Sequence, residues 1–78
     1  MQFKPDTSLP ESDPLRHTAH IRAMLVEIIA HARADVGKVD EPQAKAIFEM
    51  TAEVLLGVRK TYEDYEKRME RAFASGRS

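Results

Sequence analysis

Two long stretches that lack helix-breaking residues constrain this sequence more than any other feature. The first begins at Asp13-Pro14 and continues for 22 residues without glycine or proline. The second begins around Pro42 and contains no further proline. Proline is tolerated in the first turn of a helix, where its missing N–H has no partner to lose, but it disrupts the interior. The sequence therefore predicts two helices, at about residues 14–36 and 42–74.

Residues at the ends of both stretches fit known helix caps. Asp13 can accept hydrogen bonds from the free amide groups of the first turn. Gly37 is placed to end the first helix in the left-handed conformation that glycine adopts without strain. Asp40 is predicted to cap the second helix, with Gln43 three residues later in the position of a capping box. These signals leave roughly four residues between the helices, a connection so short that the helices must run antiparallel.

The predicted fold class is therefore all-α, an antiparallel helical hairpin at residues 14–74. A chain of 78 residues allows one domain. Residues 1–13 contain Pro5 and Pro10 and show no apolar periodicity, so an extended or disordered N-terminal arm is predicted there. A short disordered tail is predicted at 75–78.

The predicted second helix carries an apolar seam and, in its first half, a second apolar stripe. The seam alternates three- and four-residue steps, which is typical of a helix that packs along its whole length. The seam consists of Ala44, Phe48, Thr51, Leu55, Val58, Tyr62, Tyr65, Met69 and Ala72, and the stripe consists of Ile47, Met50 and Val54. Residues 44–58 are therefore wide enough to contact two partners.

The predicted first helix is apolar on two opposite sides, which indicates that it is buried. One side has mainly large residues, and the other has mainly alanine, which allows another helix to approach closely. The first side consists of Ile21, Leu25, Ile28, Ile29, Ala32 and Val36, and the second of Ala19, Ala23, Val26, Ala30 and Ala34. The alternative is that the alanines are exposed, since alanine is the best helix former.

The two predicted helices differ in length, so the first can cover the second only to about residue 64. An uncovered apolar end and an unpartnered apolar side both favour self-association. The simplest closed assembly is a homodimer that forms a four-helix bundle. The predicted oligomer interface consists of Ala19, Ala23, Val26, Ala30, Ala34, Tyr65, Met69 and Phe73.

Three histidines, all in the predicted first helix, raise the alternative of a metal-binding helical-bundle protein or enzyme. His20, Glu27 and His31 fall on one side of that helix, and bundles hold zinc or iron with such side chains. The di-iron pattern, however, requires Glu-x-x-His, and the second helix offers no histidine. A simpler interpretation is an ion pair between Glu27 and His31 beside the core, with solvated His17 and His20. No metal or cofactor is predicted.

Carboxylates cluster in the second helix, where two converging groups might suggest acid–base catalysis. They are Glu49, Glu53, Glu63, Asp64 and Glu66. Oppositely charged residues lie four positions away in several cases, namely Lys60–Asp64, Glu63–Lys67 and Asp64–Arg68. Such pairs are typical of a solvated helix surface. No catalytic residue and no enzymatic activity are predicted.

The same helix offers basic residues close to aromatic ones, which raises a second alternative, a small dimeric nucleic-acid-binding regulator. The residues are Arg59, Lys60, Lys67, Arg68 and Arg71, with Tyr62 and Tyr65. The intervening carboxylates cancel most of this charge, and the whole chain has a net charge of −1. A basic footprint for a phosphate backbone is therefore missing, and nucleic acid is disfavoured as a partner.

Composition narrows the remaining classes. The chain has no cysteine, which fits a reducing compartment, and its N-terminus lacks the basic-then-apolar pattern of a signal peptide. The apolar run from Ala23 to Ala30 is interrupted by Glu27 and is too short to span a membrane. A cytoplasmic protein is therefore predicted, and no motif identifies a family. The predicted function is a small non-enzymatic helical protein–protein interaction module that acts as a homo-oligomer, with another protein as a further candidate partner.

Overall fold

The computed structural model describes the backbone of residues 9–76 and the side chains of residues 9–72. It contains two helices, α1 (Pro14–Val36) and α2 (Pro42–Gly76). The helices pack against each other along their lengths, which confirms the all-α hairpin. Residues 1–8 of the predicted arm at 1–13 lie outside the described range.

Helix α1 begins at Pro14 because Asp13 caps it. Asp13 is extended, with φ −80° and ψ 120°, and its Oδ1 accepts a hydrogen bond from the Leu15 amide at 2.9 Å. The preceding residues form a turn in which the Asp13 amide donates to the Pro10 carbonyl at 3.0 Å. The Arg16 guanidinium also donates to the Leu9 carbonyl at 3.3 Å. Residues just before α1 are therefore tied to its first turns.

Helix α1 ends differently from the prediction. Gly37 has φ −82° and ψ −5°, which is right-handed, so the expected left-handed cap is wrong. Instead, the Gly37 amide donates to the Ala34 carbonyl at 3.2 Å and the Lys38 amide to the Asp35 carbonyl at 3.0 Å. Such bonds between residues three apart tighten the last turn and satisfy its free carbonyls.

Helix α2 is capped by Glu41, so the prediction of Asp40 as its cap is wrong. The Glu41 carboxylate accepts hydrogen bonds from the amides of Gln43 at 3.0 Å and Ala44 at 2.9 Å. Because Pro42 is the first helical residue, the residue before it is held in the extended conformation that a cap requires. The position next to proline therefore decided the cap.

The core between the helices is small. Ile29, Ala32 and Ala52 are the buried residues of its central cluster, and Ile29 and Ala52 are each only 4% exposed. Half-buried Phe48 and Leu55, together with Leu56, pack around them. Alanines at the contact let the two helix axes approach closely. Among the described residues, no large side chain is completely buried.

An ion pair joins the helices farther from the turn. The Arg22 guanidinium donates to Glu66 Oε1 at 2.9 Å, and the Glu66 side chain is 15% exposed. The two residues are 44 positions apart in sequence, so no local pattern could have indicated the contact. It fixes the axial alignment of α1 on the second half of α2.

Gly57 lies in the middle of α2 without a structural need for glycine. Its φ is not positive, and a Cβ placed there would meet nothing within 4 Å. We expect Gly57→Ala to raise the free energy of unfolding by about 1 kcal/mol, because alanine is the better helix former. Urea unfolding monitored by circular dichroism measures this change. A destabilised variant would show that the position contacts something the isolated hairpin lacks.

A candidate interaction surface

Large apolar side chains remain exposed on both helices. Among residues 9–72 there are nine such side chains, with exposures between 37% and 59%: Ile21, Met24, Val26, Ile28, Ile47, Met50, Val54, Val58 and Met69. Single exposed apolar residues are ordinary on proteins, whereas a contiguous patch marks an interaction site. Whether these side chains mark an interaction site therefore depends on whether they lie together on the hairpin.

On α1, three of these residues form one row beside the core. Met24 and Ile28 each directly precede a buried residue, Leu25 and Ile29. One residue turns an α-helix by about 100°, so Met24 and Ile28 lie on the flank that adjoins the buried side. Ile21 is three residues before Met24 and continues the row.

On α2, exposed apolar residues also lie directly beside the core residues. Ile47 and Val54 each directly precede a core residue, Phe48 and Leu55. Val58, four residues after Val54, continues the row. The exposed row of α2 is thus also shifted by about 100° from its core row.

The two rows lie on the same side of the hairpin because the helices are antiparallel. A shift in the same rotational sense on two oppositely directed helices points toward the same broad face of the pair. The surface they form, called the apolar face below, consists of Ile21, Met24, Ile28, Ile47, Val54 and Val58. Met69 extends it toward the end of α2, and Met50 lies at its outer edge.

The opposite broad face is polar. Arg33, Glu49 and Glu53 each directly follow a core residue, and they line a shallow cleft of about 390 Å³ together with Val36 and Ala52. Val26 also lies on this side, with 41% of its surface exposed. The hairpin therefore has one apolar and one charged broad face.

The predicted oligomer interface is divided by the structure. Val26, Ala30 and Ala34 are exposed, away from the apolar face, whereas Ala19 and Ala23 are half-buried. Of the predicted residues on α2, Tyr65 is half-buried and Met69 is 37% exposed. Phe73 lies outside the residues whose side chains are described. An interface built on the alanine side of α1 stays a prediction.

The coverage of α2 by α1 was underestimated from the sequence. The Arg22–Glu66 ion pair and a cleft that Thr18 shares with Tyr65 and Arg68 show that α1 reaches well beyond residue 64. The prediction of residue 64 pairs the residues of α1 and α2 one for one, starting at the turn between the helices. In the structure Ala32 packs with Ala52, so the start of α2 extends past the end of α1.

The histidines of α1 contact other partners than the predicted one. His31 Nε2 lies 3.2 Å from Asp35 Oδ2, and Lys38 Nζ lies 3.3 Å from the other oxygen of the same carboxylate. The predicted Glu27–His31 pair is therefore replaced by a His31–Asp35–Lys38 network. His20 is half-buried and has an interaction partner, so it is not simply solvated.

A ring nitrogen of His17 lies 2.6 Å from the Glu11 carbonyl. Within the described part of the chain, no three histidine, aspartate or glutamate side chains are close enough together to hold a metal ion. The three proposed ligands, His20, Glu27 and His31, are therefore not brought together as a site in a single hairpin.

Most carboxylates in the second half of α2 are engaged by cations. Lys60 contacts Asp64 at 3.5 Å, as predicted. Glu63 contacts Arg59 at 3.5 Å, although Arg59 Nε makes no hydrogen bond there and the contact is an ion pair only. With Glu66 held by Arg22, these groups act as structural charges.

The basic residues toward the end of α2 line another shallow cleft. Lys67, Arg68 and Arg71 share it with Thr61 and Asp64. Lys60 pairs with Asp64, which lines the same cleft, and Arg59 pairs with Glu63. Carboxylates therefore interrupt the five basic residues singled out from the sequence.

The chain matches no model of a known protein family, no curated protein and no solved structure. Neither helix has, within the described residues, a segment long and apolar enough to cross a bilayer. The function is therefore inferred from the surface chemistry of the hairpin.

Proposed function

We propose that this chain is a non-enzymatic protein–protein interaction module that works as a homodimer. Two hairpins pack through their apolar faces and form a four-helix bundle. The observation that carries the proposal is that most of the exposed large apolar side chains lie on one broad face, whereas the other broad face carries charged residues and, of these side chains, only Val26.

The dimensions of the hairpin support a missing second layer. The hairpin consists of two helices that pack side by side, so its thickness is that of one helix, about 10–12 Å. Stable domains consist of at least two packed layers around a core. A single hairpin is one layer, and a partner on the apolar face supplies the second.

The balance of buried and exposed apolar side chains supports a partner on this face. Among the described residues only four hydrophobic residues are buried, whereas nine large ones are at least 37% exposed. A second copy is favoured as this partner because an isologous dimer lets both hairpins cover the same face at once.

A matched pair of variants on α1 tests the proposal. Ile28 and Val26 are both β-branched, both 41% exposed and two residues apart, but they lie on opposite broad faces. We expect Ile28→Arg to be monomeric and Val26→Arg to remain dimeric, because only the first places a charge in the interface. Arginine is a good helix former, so neither change weakens α1 through helix propensity.

Sedimentation equilibrium of the wild type and of both variants at micromolar concentration measures the outcome. A monomeric wild type overturns the homodimer. A dimer that Val26→Arg dissociates and Ile28→Arg does not would place the interface on the alanine side of α1 instead. Circular dichroism shows that each variant remains helical.

A further inference from the structure

We infer that the two hairpins of the dimer stack antiparallel, so that the turn of one lies beside the open end of the other. The inference rests on the proposed homodimer. It specifies which part of the second copy packs on each half of the apolar face. The turn end is defined as residues 33–53. The open end is defined as residues 14–22 together with 62–72.

Twofold symmetry allows two ways to stack the apolar faces. With the axis parallel to the helices, both turns lie at the same end and α1 lies over the partner's α2. With the axis across the helices, the turns lie at opposite ends, α1 lies over its own copy and α2 over its own copy. Both arrangements are closed and isologous, so the side chains must decide between them.

Each apolar row overlaps the same row of the second copy when that copy runs in the opposite direction. The row on α1 runs from Ile21 to Ile28, with Met24 near its centre. The row on α2, with its extension, runs from Ile47 to Met69, and Val58 lies at its centre. The packing of Ala32 with Ala52 aligns Met24 with about residue 60 of α2, so the two centres differ by only about 3 Å along the axis. A transverse twofold axis through this point places apolar residues over apolar residues on both helices.

The parallel arrangement brings charged groups onto apolar ones. The row on α1 continues past Ile28 as His31 and Asp35, which join Lys38 in the network at 3.2 and 3.3 Å. Stacking α1 on the partner's α2 with both turns together sets this network against the copy's Ile47 and Val54. Covering charged groups with apolar side chains removes their water without giving them a new partner.

The distribution of charge also favours the antiparallel arrangement. The turn end carries three cations and five carboxylates, a net charge of −2, whereas the open end carries five cations and four carboxylates, a net charge of +1. Antiparallel stacking brings each negative turn end beside a positive open end. Parallel stacking brings the two negative ends together, which is unfavourable for both association and register.

Distances between spin labels test the arrangement, and the absence of cysteine from the natural sequence allows labels to be placed singly. We expect Lys38→Cys, labelled in the turn, to give a distance between the two copies of about 40 Å when the hairpins are antiparallel, from the rise of 1.5 Å per helical residue. Parallel hairpins would give about 20 Å. The Lys38 side chain is 68% exposed, so the label does not disturb the core.

A second label reports the dimer itself. Lys60 lies near the centre of the stack, seven residues after Glu53 on the polar broad face, and its side chain is 74% exposed. Labelled Lys60→Cys should give about 30 Å in either arrangement, from one interaxial distance and two labels that point outward. The expected result is about 30 Å at Lys60→Cys and about 40 Å at Lys38→Cys. About 30 Å at Lys60→Cys with about 20 Å at Lys38→Cys would overturn the antiparallel arrangement while leaving the homodimer intact. No dipolar interaction at either position, with monomeric sedimentation, overturns the proposed function and the inference with it.

Discussion

Replacing Ile29 with alanine is expected to lower the free energy of unfolding by about 2–5 kcal/mol. Ile29 is 4% exposed and lies at the centre of the cluster with Ala32 and Ala52. Phe48, Leu55 and Leu56 pack around this cluster, so shortening Ile29 leaves a cavity between the two helices. A chain of this length has a total stability of roughly 4–12 kcal/mol, and the change removes much of it.

Two further substitutions show whether this effect arises from packing. Ile29→Val removes one methyl group and should cost about 0.5–1.5 kcal/mol. Val26→Ala, on the exposed polar side, should change stability by less than about 0.5 kcal/mol. Denaturant unfolding at a fixed chain concentration measures all three values. An Ile29→Ala cost below about 1 kcal/mol would contradict the placement of Ile29 in the core.

Raising the chain concentration a hundredfold is expected to stabilise the fold by about 2.7 kcal/mol per mole of dimer, or about 1.4 kcal/mol per chain. A partner that binds only the folded state adds stability that grows with the logarithm of its concentration. For a dimer of this size the melting temperature should then rise by roughly 5–10 °C. Thermal unfolding followed by circular dichroism, from low to high micromolar concentration, measures the shift.

The Ile28→Arg variant serves as the control for this experiment. Its melting temperature should not change with concentration, and at the highest concentration it should lie well below that of the wild type. A wild-type melting temperature that is the same at every concentration would mean that folding and association are independent. The small core between α1 and α2 would then have to stabilise the hairpin unaided.

The helices themselves could be predicted because their signals are local. Asp13-Pro14 and Pro42 specify starts through the chemistry of one turn, and the apolar periodicity specifies long amphipathic helices. The helix caps were predicted less accurately, and the reasons are equally local. Aspartate is a preferred cap, which favours Asp40, but the proline that follows Glu41 has the stronger influence.

The candidate surface could be predicted only in part. The stripe of Ile47, Met50 and Val54 was recognised as able to reach a second partner, and the structure leaves these three residues exposed. The corresponding row on α1 could not be separated from the core, because Ile28 and Ile29 are adjacent and equally apolar. Which of them faces α2 depends on how the helices are rotated against each other, and that is a tertiary property.

On α2 the core row and the exposed row are adjacent and similarly apolar. Rotation of α2 about its own axis would therefore exchange one apolar surface for another. A roll of about 100° would turn Ile47 and Val54 toward α1 and release Phe48 and Leu55. Hydrophobicity alone separates these two states poorly, so specific contacts distinguish them. In the rolled state Ala52 no longer packs with Ala32, and Glu66 loses Arg22, its partner at 2.9 Å. The small core and the ion pair therefore both contribute to the choice of the row of α2 that is left to meet another molecule.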